Sequence, residues 1–239
     1  MRAIAIIPAR LASTRLPRKM LREIGGKPLI GVVYEAVRRA PTLDDVIVAT
    51  DSEEIFRVCR ERDWKVQMTS NTHRSGTERV HEVSGREAAD VYINVQGDEP
   101  LACAEQIESL LQVMKNESAQ VGTLMTPAAY VDIANPNAVK VVTDLSGRAL
   151  YFSRATIPFD RDGLRPQYFK HLGFYAYRKP ALDSFVTLPE SSLERAERLE
   201  QLRFLDNGIP IYVGQTPHDS VGVDTEEDLQ RVIQILNKR

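Results

Sequence analysis

The run Ile4-Ala-Ile-Ile-Pro-Ala9 constrains this chain more than any other stretch. It is Ile-rich, almost wholly apolar and broken at Pro8, as a parallel strand buried on both faces requires. Arg10, Arg15, Arg18 and Lys19 follow at once, with Ser13 and Thr14 among them and Pro17 restricting the backbone. In open α/β sheets ligands bind beyond the carboxyl ends of strands, and this segment leaves the first strand at that edge. Small residues let backbone N–H groups approach an anion, while guanidinium and ammonium groups supply charge. A polyphosphate uses such a loop best. A solvated basic loop is the plainer alternative.

The same alternation recurs along the chain. Leu29–Arg39 has helical spacing, Asp45–Thr50 is a second buried strand, and Asp51 or Ser52 can cap the helix after it. Lys65–Met68 is a weaker strand, and the repeated strand–helix–strand order predicts a doubly wound, mostly parallel α/β sheet. Ser75 and Glu78 have capping-box spacing, which turns Gly76 and Thr77 toward the edge that carries the first loop. That pattern fits a base or ribose site and a plain helix start equally well. Val91–Val95 is a strong strand ending in Gln96-Gly-Asp98-Glu-Pro100. An acidic residue just past a buried strand suits Mg²⁺, which takes one or two carboxylates plus phosphate oxygens. A helix to about Glu117 and a strand at Val121–Met125 are expected next.

From Pro127 the texture changes. Asn135–Thr143 and Arg148–Ser153 read as a hairpin around Asp144–Gly147, followed by an irregular loop at Arg154–Gly163 and a strand at His171–Tyr177. The expectation is one domain over 1–239, with a small β-rich subdomain at roughly 130–185 whose apolar residues suit a dimer contact. Ser191 and Glu194 form a second capping box. It opens a helix striped by Leu193, Ala196, Leu199, Leu202 and Leu205 and ended by Asn207-Gly208. Glu200, Gln201 and Arg203 fall off that stripe and read as a solvated face. Ile209–Val213 is a short strand. Asp224 precedes a final helix capped by Thr225 and Asp228; it is either part of that cap or a second metal ligand facing Asp98.

Composition narrows the function classes. The 239 residues carry a formal net charge of −2, so the basic loop is a local feature and general nucleic-acid binding is disfavoured. No apolar run approaches the roughly 20 residues of a membrane span. Met1-Arg2-Ala3 runs straight into a strand without a signal-peptide pattern, and Cys59 and Cys103, both placed in predicted helices, lack CxxC spacing. A cytoplasmic protein with a small anionic ligand is the expectation. No G-x-G-x-x-G follows the first strand, and Gly25-Gly-Lys-Pro28 lacks the full P-loop pattern, so a dehydrogenase has little support.

With these segments in place, the chain resembles the CMP-Kdo synthetases (3-deoxy-manno-octulosonate cytidylyltransferases) among the sugar-activating nucleotidyltransferases. The resemblance is carried by Ile7-Pro-Ala-Arg10, Ser13-Thr-Arg-Leu-Pro17, Lys19, Val48-Ala-Thr-Asp51, Ser75-Gly-Thr-Glu-Arg79, Asn94-Val-Gln-Gly-Asp98-Glu-Pro100 and Asn135-Pro-Asn-Ala-Val-Lys140. Leu150-Tyr-Phe-Ser-Arg154-Ala-Thr-Ile-Pro158, His171-Leu-Gly173, Leu199-Glu-Gln-Leu-Arg203 and Gly222-Val-Asp224-Thr225 complete it across the whole chain. Arg18, Met20 and Arg74 depart from the family's usual Gly, Pro and Gln.

The resemblance implies a nucleotide-diphospho-sugar transferase-like fold. It implies transfer of CMP from CTP to the anomeric hydroxyl of 3-deoxy-D-manno-octulosonate, for lipopolysaccharide biosynthesis, by a cytoplasmic homodimer using Mg²⁺. Ala9, Arg10, Ser13, Arg15 and Lys19 would hold the triphosphate, and Ser75, Gly76, Thr77 and Arg79 the nucleoside. Gln96 would meet nucleotide and sugar, and Asp98 and Asp224 the metal. Arg154, His171, Tyr175, Glu200 and Gln201 would form the sugar-acid pocket. Arg10, Lys19, Asp98 and Asp224 would carry the chemistry. A related sugar acid (the 8-amino variant or a sialic acid), or a catalytically silent nucleotide-binding protein, are the alternatives.

Overall fold

In the computed structural model, which describes residues 1–237, the chain forms two compact units. One comprises Met1–Glu108 with the segment from Ser220 onward, and the other is Ser109–Asp219.

The first unit begins with β1 (Ala3–Ala9), buried at every residue. After a 3-10 turn at Lys19–Leu21 comes a two-residue hairpin of β2 (Glu23–Ile24) and β3 (Lys27–Pro28). Gly25 and Gly26, at φ 59° and 80°, turn it in the left-handed region that side chains resist. Then follow α1 (Leu29–Arg38), β4 (Asp45–Thr50), α2 (Glu53–Glu61), β5 (Val66–Met68), α3 (Gly76–Ser84) and β6 (Val91–Asn94). The strands stand in the order β6-β1-β4-β5, all parallel, with Ile6 opposite both Ile47 and Asn94. Ile4, Ile6 and Ile7 are wholly buried, so the apolar run expected to be a covered central strand is one. Ser52 caps α2 by accepting from the Ile55 N–H, which leaves Asp51 free for another partner.

The boundary between units falls within α4 (Ala104–Val113). This helix ends four residues short of the expected Glu117, and Cys103 lies just before it, half-buried, rather than inside it. The second unit contains β7 (Val121–Pro127), α5 (Tyr130–Ile133), the hairpin β8 (Lys140–Thr143) and β9 (Ala149–Ser153), and β10 (Phe169–Tyr177). It continues with α6 (Lys179–Thr187), α7 (Ser192–Glu197), α8 (Leu202–Asp206) and β11 (Ile211–Gln215). β7 lies between β11, parallel to it, and β10, antiparallel; β10 also meets β8 at Lys140.

The single helix expected from Ser191 to Asn207 is two short helices broken at Arg198, whose φ is 56°. The apolar stripe loses to an ion pair. Glu194 is 5% exposed and takes Arg203 with both carboxylate oxygens, at 2.5 and 2.8 Å, while the guanidinium lies 4.1 Å over the Phe185 ring. Turning Glu194 inward turns Leu193 and Ala196 outward, and Gln201, expected on a solvated face, is buried.

From Ser220 the chain belongs to the first unit again and includes α9 (Glu226–Leu236), opened by a full capping box of Thr225 and Asp228. No helix among the described residues is long and apolar enough to cross a membrane.

Candidate active site

At the carboxyl end of β1 the first unit holds a cleft of about 610 Å³, lined among others by Pro8, Arg10, Ser13, Arg15, Lys19, Gly76, Gln96, Asp98 and Asp224. Its cationic wall is pinned at both ends. Leu16 and Met20 are buried, Arg18 pairs with Glu54, and Arg22 reaches Glu226 at 2.7 Å. The segment Gln96–Asp98 passes so close to β1 that a Cβ on Gly97 would stand 2.8 Å from the Pro8 carbonyl oxygen. Only glycine permits that approach.

Asp98 and Asp224 are 126 positions apart in sequence, and backbone bonds join their neighbourhoods. The Val223 N–H donates to the Asp98 carbonyl at 2.8 Å. The Asp228 carboxylate accepts from the backbone of Asp224 and Thr225 at 3.1 and 2.9 Å. Thr225 and Asp228 thus supply the helix cap, and the Asp224 side chain is left to face the cleft. Lys19 Nζ donates to Asp98 Oδ2 at 2.6 Å and to Asp224 Oδ1 at 3.0 Å, while Arg15 meets Asp224 Oδ2 at 2.9 Å. Burial works against the Lys19 charge, but the two carboxylates outweigh it and hold its pKa above the ordinary lysine value. Two carboxylate oxygens within 3.0 Å of one cationic nitrogen offer a single cation hard oxygen ligands. That donor set fits Mg²⁺.

The α3 residues divide. Gly76 lines the cleft, whereas Ser75 and Thr77 are buried beside it. Ser75 Oγ accepts from the Glu78 N–H at 3.3 Å, but Glu78 turns its carboxylate to the Arg74 N–H, so only half of the expected capping box forms. Arg79 is wholly buried: it donates to Thr69 Oγ1 at 2.7 Å and to the Ser70 carbonyl at 3.1 Å, and pairs with Asp51. It braces the ends of β4 and β5 against α3 and is absent from the cleft lining. Ala9 is buried in β1 at the root of the loop.

In the second unit, His171 and Tyr175 stand in one aromatic column, their rings 5.4 Å apart, with Phe152 edge-on to His171 at 5.0 Å and Tyr177 stacked on Tyr175 at 5.8 Å. Burial lifts the Tyr175 pKa well above its ordinary value, and the charges of Tyr177 and Glu200 add to it. The Tyr175 hydroxyl and Gln201 Nε2 are both buried without a hydrogen-bond partner; neighbouring Thr123 spends its own hydroxyl on the Phe174 carbonyl at 2.7 Å. Arg154 is held from below, its guanidinium donating to the carbonyls of Glu197, Pro136 and Arg198 at 2.7, 3.0 and 3.4 Å. Sequence reasoning missed Glu197, whose carboxylate takes the Ser153 hydroxyl at 2.6 Å and the Arg154 N–H at 2.9 Å. It also assigned no role to Lys140, which is wholly buried and donates to the carbonyls of Asn135, Ala138 and Arg154 at 2.8, 2.6 and 2.7 Å. The only available signal was a lysine at the head of a strand.

A parallel sheet whose strand ends carry a cationic loop and two converging carboxylates defines a nucleotide-using α/β protein of the transferase kind. The match to the family described as cytidylyltransferase runs over residues 4–211. The chain belongs to that family. It is 64% identical to a 3-deoxy-manno-octulosonate cytidylyltransferase of Koribacter versatilis, covering 100% of this chain and 91% of the relative. It is 52% identical to one from Acidobacterium capsulatum, covering 99% and 97%. A solved CMP:2-keto-3-deoxy-manno-octonic acid synthetase complexed with CTP superposes with a TM-score of 0.96 at 41% identity, covering 100% of this chain and 99% of that one.

Proposed function

We propose that this protein transfers CMP from CTP to the anomeric hydroxyl of 3-deoxy-D-manno-octulosonate, releasing pyrophosphate and activating the sugar acid for lipopolysaccharide biosynthesis. The observation that carries this reading is the convergence of Asp98 and Asp224 at the foot of a cationic loop, in a chain that matches CMP-Kdo synthetases from end to end. The anomeric oxygen bonds to the α-phosphorus as the α–β bridging P–O bond breaks. Such transfers need positioning and charge neutralisation more than a protein nucleophile.

Arg10, Ser13, Arg15 and Lys19 hold the triphosphate, and Arg10 and Lys19 offset charge growing on the departing pyrophosphate. Ser75, Gly76 and Thr77 seat the nucleoside, with Arg79 bracing them from within. Gln96 sits between nucleotide and sugar. Asp98 and Asp224 would hold Mg²⁺, which would supply Lewis acidity toward the attacking hydroxyl and charge neutralisation at the phosphates. In the second unit Arg154 binds the sugar's carboxylate, and His171, Tyr175, Glu200 and Gln201 take its hydroxyls. The unpartnered Tyr175 hydroxyl and Gln201 amide support that assignment, because buried polar groups left unpaired are costly unless a ligand supplies the partner.

A pyrophosphate-release assay crossing CTP, UTP, ATP and GTP with this sugar, its 8-amino variant and a sialic acid tests the reading. Fastest turnover is expected for CTP with 3-deoxy-D-manno-octulosonate in Mg²⁺; faster turnover of another sugar acid reassigns the acceptor. Asp98→Asn should lower kcat by about a thousandfold or more with the fold intact. Near-normal turnover of that variant sinks the metal assignment.

A further inference from the structure

Both groups that a metal-bound triphosphate needs are already engaged with each other. The carboxylates of Asp98 and Asp224 share one ammonium nitrogen, and the second oxygen of Asp224 is taken by Arg15. The Lys19 side chain is only 10% exposed, and Leu16 and Met20 anchor its loop from both sides. Without that ammonium, two carboxylates this close would repel each other in a partly buried site, where screening is weak.

We propose that Lys19 is the place-holder cation of this site. It keeps Asp98 and Asp224 converged, offsetting one of their two charges while Arg15 offsets the other, until nucleotide and divalent metal arrive, and it makes the two load as a pair. The proposal rests on Asp98 and Asp224 being the metal ligands.

The reason is charge exchange. A triphosphate arriving alone draws Lys19 and Arg15 toward phosphate and strands two carboxylates beside further negative charge. A divalent ion arriving alone takes the carboxylates and strands an ammonium with nothing to pair with. Arriving together, each takes the partner the other has released, and no group is left bare. Coupling of this kind is reciprocal: metal must tighten nucleotide binding by the factor with which nucleotide tightens metal binding. Arg15, 65% exposed, swings at little cost, so the barrier to loading ligands singly sits mainly on Lys19.

The test titrates Mn²⁺, without nucleotide, into the full-length protein, its Lys19→Met variant and its Asp98→Asn variant, with folding checked by thermal denaturation. Lys19→Met should bind Mn²⁺ at least tenfold more tightly than the unaltered protein, a gain abolished when Asp98→Asn is added. Equal or weaker binding by Lys19→Met overturns the proposal. A second measurement needs no variant: brief acetylation of the unaltered protein, read by mass spectrometry. Mn²⁺ alone should raise labelling of Lys19, because a displaced ammonium becomes accessible; unchanged labelling at saturating Mn²⁺ overturns the place-holder role. The prior reading fails separately: Mn²⁺ retained equally by the unaltered protein and Asp98→Asn in the presence of CTP would show that these carboxylates are not the ligands.

Discussion

His171 is a residue whose chemistry follows from its surroundings. Partly exposed as a whole, it has its ring among Phe152 and Tyr175 and its Nε2 3.0 Å from Thr123 Oγ1, and burial pushes its pKa from 6.5 down to about 3. The unfolded chain takes up a proton near pH 6.5 while the folded chain does not until about pH 3. Its contribution is therefore full above pH 6.5 and is lost as pH falls below it, at no more than about 1.4 kcal/mol per pH unit. Thermal denaturation between pH 7 and pH 4 should show a steeper fall in Tm for the unaltered protein than for His171→Gln. Parallel curves would mean that the ring is hydrated and protonates normally. A neutral His171 can accept or donate one hydrogen bond to a sugar hydroxyl without opposing the charge of Arg154. None of this was legible in the residue itself, whereas Asp98, one step past an apolar strand, was readable because strand ends face the ligand edge.

At the scale of elements, the hairpin β8–β9 is held by a buried charge as well as by the buried pair Val141 and Phe152. Lys140 spends all three ammonium hydrogens on carbonyls of the turn before β8 and of Arg154 just after β9. Lys140→Met keeps the volume but leaves the Ala138 and Arg154 carbonyls without this donor, while the Asn135 carbonyl keeps the Ala138 N–H at 3.1 Å. A loss of roughly 2–4 kcal/mol is expected from denaturant unfolding. Because the Arg154 backbone is one of the three anchors, KM for the sugar acid should rise while the Kd for CTP stays within about twofold, the latter depending on groups of the first unit alone. A uniform change in both would show that the hairpin contributes only bulk stability. The break at Arg198 belongs to the same scale. Periodicity alone predicted one helix, and the Glu194–Arg203 pair, invisible to a count of apolar residues, divides it.

For the whole molecule, the second unit exposes more apolar surface than a monomer needs. Tyr130 and Val131 on α5 are 90% and 74% exposed, and Phe159 and Leu164 in the loop between β9 and β10 85% and 81%. The Thr156 hydroxyl ties that loop to the Ile133 carbonyl at 2.9 Å. We propose that these groups meet a second copy of the chain. Sedimentation velocity should show a dimer at micromolar concentration that Phe159→Glu with Val131→Glu converts to monomer; a monomeric unaltered protein refutes it. The sequence by itself determined the parallel sheet of the first unit, the loop at its edge and the helix starts capped by Ser52, Ser75, Ser191 and Thr225, because burial patterns and caps act over a few residues. Only the tertiary structure decided that Asp224 meets Asp98 across 126 positions, that Arg79 braces rather than binds, and that Glu194 turns inward. Those outcomes depend on which distant backbone and charge lie within about 3 Å, a distance that pairs in space fix and that order along the chain does not.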